Sequence, residues 1–186
     1  MSTDERAEGV AEGANPRTAL EIEQILIERG WLRTGDDGKA DAPLQEWIGR
    51  AAELFGPHAA DRESLSALLE LVFSYDAVGL MRSRDNQEVL ARAGAREVVR
   101  ELAHRVLDGG DIDSDRFKQI IDDLKLAVPY RSRAMFHPIR LALAGRAGEG
   151  ELDRIILLID PASKVRFAAR VKSTRERMRE FCTALD

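Results

Sequence analysis

The chain has 186 residues, 44% of them hydrophobic and 33% charged, and a net charge of −5 at neutral pH. A chain of this length can bury a core without staples, and this composition excludes a wholly disordered polymer. One cysteine, Cys182, excludes a disulfide framework and a thiolate metal cluster, and the negative balance excludes a basic coat over the whole surface.

The charge is unevenly placed. Residues 1–44 carry 5 basic and 10 acidic groups, residues 45–128 carry 11 and 16, and residues 129–186 carry 12 and 7. An acidic body joined to a basic final third points to a localised anionic partner or to a solvated basic face. The opening MSTDERAEGVAEGANP has no apolar signal core, and no later run approaches membrane-spanning length. The expectation is a cytoplasmic protein without a membrane partner.

In chain order, residues 1–16, of low hydrophobicity and rich in Gly, Glu and Ala, read as a disordered, mobile tail. A helix is predicted from TALE, with Thr18 and Glu21 as a capping box and Gly30 as its end. Asp41 and Pro43 stand where an N-cap and a first-turn proline belong. Leu44, Trp47, Ile48, Ala51 and Phe55 then form one apolar helical face, and Gly56-Pro57 stops it. Asp61 opens the next helix, built on Leu65, Leu68, Leu69, Val72 and Phe73; SYDAVGLMRSRD reads as a connection.

Helices follow over 85–92 and 95–107, the second ended by Gly109-Gly110. Asp113 or Ser114 caps a helix carrying Phe117, Ile120, Ile121 and Leu124, closed by Pro129. GELDRIILLIDP is helical by spacing, with a strand possible for IILLI. Asp160-Pro161 reads as the cap and first-turn proline of the last helix. That helix repeats Phe167, Val171, Thr174, Met178, Phe181 and Leu185 at steps of four and three. This short seam would either dock on the core or hold a partner or a second copy. The predicted fold class is all-α, a bundle of roughly eight helices. Its expected organisation is a tail over 1–16, a helical subdomain over 17–128 and a basic helical subdomain over 129–186.

Chemistry is sparse. His58, His104 and His137 show no metal-ligand spacing, and there is no phosphate-binding glycine loop of the P-loop or dinucleotide type. Gly145–Gly150 reads as a helix C-cap and turn. Asp108, Asp111, Asp113 and Asp115 lack the glycine and glutamate of an EF-hand loop. Cys182 has no base nearby in sequence. No catalytic residue, metal or cofactor is expected.

The unusual stretch is YRSRAMFHPIRLALAGR, residues 130–146, in which four arginines punctuate an apolar run. Its continuation FHPIRLALAGRAGEGELDRIILLI resembles the motif near the C-terminus of bacterial glutamyl-tRNA synthetases. That motif reads approximately F-x-P-[LI]-R-x-A-L-T-G-R, followed by a Gly-Pro loop and an apolar helix. The resemblance covers residues 95–172 and extends loosely over 42–94. It implies the all-helical anticodon-binding region, gripping an anticodon stem-loop of tRNA, with tRNA-Glu as the candidate. By motif position it implies Arg140 and Arg146 as anticodon-loop contacts and Arg131 and Arg133 as phosphate contacts. His137 and Pro138 read as helix-entry geometry.

Two departures stand out: Ala144 replaces the motif's Thr, and Glu149-Gly150 replaces its Gly-Pro. The family's HIGH-type and KMSKS-type catalytic signatures do not occur in this sequence. The expectation is therefore a non-catalytic tRNA-binding protein. The alternatives are a protein-interaction module that has lost RNA binding, using the seam of Phe167, Val171, Met178 and Phe181, and the anticodon-binding subunit of a split glutamate–tRNA ligase.

Overall fold

A computed structural model describes residues 16–33, 41–57 and 61–186. Ten helices and no strand occur among the described residues, so the chain is all-α, with two more helices than the sequence predicted. They are α1 (Pro16–Glu28), α2 (Ala42–Phe55), α3 (Arg62–Phe73), α4 (Ala77–Arg82), α5 (Arg84–Ala91), α6 (Ala95–Asp108), α7 (Ser114–Ala127), α8 (Arg133–Ala144), α9 (Glu151–Ser163) and α10 (Thr174–Leu185). IILLI lies within α9, so its apolar run is a buried helix. The connection SYDAVGLMRSRD folds into α4, started by Asp76, whose carboxylate accepts from the Val78 amide. His58 and residues 1–15 of the tail expected over 1–16 lie outside the described residues, and Pro16 begins α1.

Local signals explain most helix ends. Asp61 accepts from the Ser64 amide at 2.7 Å and Asp113 from the Arg116 amide at 2.8 Å, each satisfying an orphan donor of a first turn. Thr18 is not a cap. Helix α1 already begins at Pro16, and Thr18 is buried inside it.

Helices α8 and α9 are the central pair. Helix α9 packs on α2, α3 and α8, and α8 packs on α5, α6, α9 and α10. Residues 138–144 of α8 are buried without a break, which a helix achieves only when neighbours cover it on all sides. One aromatic knot lies under the α2, α3 and α9 side. Trp31 stacks on Phe73 at 4.4 Å, and Phe167 meets Trp47 and Phe73 edge-on at 5.1 and 4.9 Å. The Trp47 indole N–H donates to the Leu158 carbonyl at 3.0 Å, which fixes α2 on α9.

The last helix starts later than the sequence suggested. Asp160 and Pro161 belong to α9, and α10 begins at Thr174, after a capping box of Ser173 and Glu176. Asp160 still serves α10, from fourteen residues upstream. Its carboxylate is 1% exposed and accepts from the Thr174 amide, the Thr174 hydroxyl and the Ile112 amide, each at 2.7 Å. A buried carboxylate needs such donors to persist.

Arg177 of α10 is completely buried. Its guanidinium donates to the carbonyls of Leu71 and Val72 at the end of α3 (3.0 and 2.6 Å) and of Leu143 at the end of α8 (3.0 Å). Its Nε donates to the Lys172 carbonyl, and its plane lies 4.7 Å from the Tyr75 ring. Burial pulls its pKa down to about 10, so it remains a cation at neutral pH. Replacing it with methionine should leave these carbonyls without donors. The expected loss is about 3–5 kcal/mol, measurable as an earlier midpoint in urea unfolding followed by circular dichroism.

Candidate nucleic-acid interface

Helix α8 is broken from α7 by Pro129 and by Ser132, whose φ of +51° no helix accepts. It ends at Gly145, in the left-handed region at φ +81°, with its amide on the Leu141 carbonyl at 3.1 Å. The Gly145 Cα faces the Tyr75 ring, so a side chain there would be strained in backbone and crowded in space. The chain then crosses residues 146–150 and enters α9.

Arg140 faces inward. It is 7% exposed, and its Nε and Nη2 form a bidentate fork on Asp153 at 2.8 and 2.9 Å. Its Nη1 donates to the Gly148 carbonyl at 2.7 Å, and its guanidinium lies 4.8 Å from the Phe136 ring. The residue expected first among anticodon contacts thus has its fork occupied by its own chain. The physical cause is Asp153 in the first turn of α9, where planar carboxylate meets planar guanidinium. What Arg140 does here is tie α8 to α9 and pin the intervening loop at Gly148.

The other three arginines sit differently. Arg131 folds back on the end of α7, donating to the carbonyls of Lys125, Val128 and Tyr130 at 2.6, 2.7 and 2.6 Å. Its charge stays at the surface while its donors cap a helix. Arg133 is 74% exposed and meets Glu149 at 3.2 Å. Arg146 is exposed in the loop, with no ion pair or side-chain hydrogen bond among the described residues. The four do not form one reading cluster. Arg131, Arg133 and Arg146 present charge outward, and Arg140 holds the frame.

Sequence spacing did not single out Arg92 and His137, which the structure brings together. Arg92, in the turn between α5 and α6, places Nη1 3.4 Å from the His137 Nδ1. The one available signal was that His137 follows Arg133 by four residues, which puts both on one helical face.

The two motif departures also take on physical meaning. Ala144 is fully buried, so a hydroxyl absent there is absent from the core and not from the surface. Gly150 has φ −64°, the angle proline prefers, and a Cβ built on it meets nothing within 4 Å. The loop is held by Arg140 in place of a proline.

The seam on the last helix is corrected. Met178 and Phe181 are completely buried, Val171 is 5% exposed, and Phe167 packs in the aromatic knot. Phe167 and Val171 precede α10, so the repeat does not form a continuous helical stripe. These residues pack on the chain's own core, the first of the two readings that the spacing allowed. Burial pushes the Cys182 thiol up, away from thiolate chemistry. Among the acidic cluster, Asp113 caps α7 and Asp111 pairs with Lys164. No group of three potential metal ligands occurs among the described residues.

The chain is similar to glutamate–tRNA ligases. It is 28% identical over 128 residues to the ligase of Sulfurihydrogenibium sp., covering 66% of this chain and 25% of that protein. It is 25% identical over 144 residues to that of Bacillus licheniformis, covering 75% of this chain and 29% of the relative. It is 24% identical over 123 residues to glutamate–tRNA ligase 2 of Syntrophus aciditrophicus, covering 63% of this chain and 24% of the relative. The chain thus spans about a quarter of the length of the curated relatives it matches. No family model matches it, and no solved structure matches it. Among the described residues no helix is long and apolar enough to cross a membrane.

Two variants probe the pinned loop. Asp153→Asn should cost about 1.5–3 kcal/mol, because the buried Arg140 loses its charged acceptor, and thermal unfolding would read the loss. Gly150→Pro should add about 0.4–1 kcal/mol by restricting the unfolded chain, seen as a raised Tm.

Proposed function

We propose that this chain is a non-catalytic RNA-binding protein that grips the anticodon stem-loop of a tRNA, with tRNA-Glu the candidate. The observation that supports this most is the likeness to glutamate–tRNA ligases over 123–144 residues of an all-helical chain, together with the F-x-P-x-R-x-A-L-x-G-R pattern. Ligases of that name join glutamate to tRNA. This chain shares only about a quarter of their length and carries neither of the catalytic signatures that the resemblance would require.

The contacts follow from exposure. Arg146 and Arg133 are free to meet phosphate oxygens or splayed bases, and Arg131 adds surface charge beside them in sequence. Arg140 acts in this reading as a positioning residue that fixes the loop bearing Arg146. The Arg133–Glu149 pair, both side chains well exposed, contributes about 0–1 kcal/mol and gives way to a phosphate at little cost.

A filter-binding titration against tRNA-Glu and an unrelated tRNA, repeated over a salt series, tests the reading. The expected result is saturable binding that weakens steeply with salt, with Arg146→Gln and Arg133→Gln each lowering the log–log slope by about 1. Absence of binding tighter than about 10⁻⁴ M at low salt would reject it. Co-purification with a ligase catalytic subunit in place of free tRNA binding would favour the split-enzyme alternative.

A further inference from the structure

We propose that Arg92, Arg133 and His137 form a subsite for a phosphate group. The inference deepens the RNA-binding reading and rests on it for the source of the phosphate, a backbone phosphodiester. Two segments build the subsite. Arg133 and His137 stand one turn apart on α8, and Arg92 reaches over from the α5–α6 turn to within 3.4 Å of the ring. Arg92 and Arg133 are exposed, and Arg92 has no carboxylate partner among the described residues.

The histidine is the informative member. A guanidinium can only donate, so Nδ1 accepts from Arg92 and the neutral ring carries its proton on Nε2. That Nε2 is buried and has no hydrogen-bond partner within the protein. Arg92 touches the ring, and the other charges near enough to act on it are Arg133 and Arg140 on the positive side and Glu149 on the negative. Arg140 is committed to Asp153, and Glu149 is drawn to Arg133. Cations therefore outnumber anions around a ring that is itself uncharged. An arriving phosphate reverses that balance by displacing Glu149 from Arg133 and bridging to Arg92.

The proton follows the anion. Burial, and then Arg92, hold the His137 pKa below the ordinary histidine value in the free chain. A bound phosphate that draws the Arg92 N–H off Nδ1 leaves that nitrogen free to take a proton, favours the imidazolium and raises its pKa. The bound form then holds more protons than the free form between the two values, so binding tightens as pH falls through that window. Each unit by which the phosphate raises the ring corresponds to about a tenfold gain in affinity.

The histidine ring resonances of the full chain, followed by NMR over about pH 5 to 8, report this directly. They would be recorded alone, with inorganic phosphate, and with tRNA, for the wild type and for Arg92→Gln. The expected result is an upward movement of the His137 midpoint with tRNA, lost in Arg92→Gln. Tightening of tRNA binding toward low pH should be reduced in His137→Gln by the same factor. Movement with inorganic phosphate but none with tRNA would uphold the subsite and reject a tRNA phosphodiester as its ligand. Salt-sensitive tRNA binding with an unmoved His137 in both ligand arms would overturn the subsite and leave the RNA reading standing. No movement with either ligand overturns it as well.

Discussion

The fold depends on one buried cation. Arg177 enters the interior from α10 and donates to carbonyls at the ends of α3 and α8, with Tyr75 stacked against it. Helix C-termini present unpaired carbonyls and the negative end of the backbone dipole, so a guanidinium placed there answers both at once. Its planar fork reaches two helices that no single backbone segment could join. Tyr75 completes the arrangement. Its hydroxyl donates to the Ala142 carbonyl, and burial pushes its pKa far above the usual phenol range, which keeps that hydroxyl protonated. Asp160 plays the complementary part for buried amides at the start of α10 and in the loop before α7, which would otherwise lack an acceptor.

The same chemistry is used twice more around α8, with different results. Arg140 and Arg131 satisfy their donors within the chain, one against a carboxylate and the other against carbonyls. Arg146 keeps its donors in solvent, and Arg133 meets only the exposed Glu149. An arginine that ties two helices cannot also read a base edge while Asp153 holds its fork. This division of labour leaves outward-facing charge on the loop and on α8 and gives Arg140 the task of tying that loop to α9. The loop's rigidity therefore comes from a side chain at 140 and not from a proline at 150.

Much of this was legible in the sequence. Spacings of three and four marked α2, α3, α6 and α7, and the caps Asp61 and Asp113 fell where their chemistry demands. Helix α4 was hidden because six residues are too few for a periodic pattern. The start of α10 was misplaced because Asp-Pro has the form of a cap and a first helical residue, yet Pro161 falls in the last turn of α9. The apolar residues of the last segment were visible, but nothing local distinguishes a face that docks on the chain's own core from one that docks on another. Arg92 and His137 lie 45 residues apart, and their approach had no local signal.

By itself the sequence determined an all-helical chain with a basic final third and a stretch that resembles a glutamyl-tRNA synthetase motif, because periodicity, charge and residue order are local properties. Only the tertiary structure decided which way each arginine points. Direction depends on what stands opposite: Asp153 for Arg140, helix carbonyls for Arg131 and Arg177, and solvent for Arg146. Those partners come from other turns of the chain, and a guanidinium takes whichever acceptors the packing brings within reach.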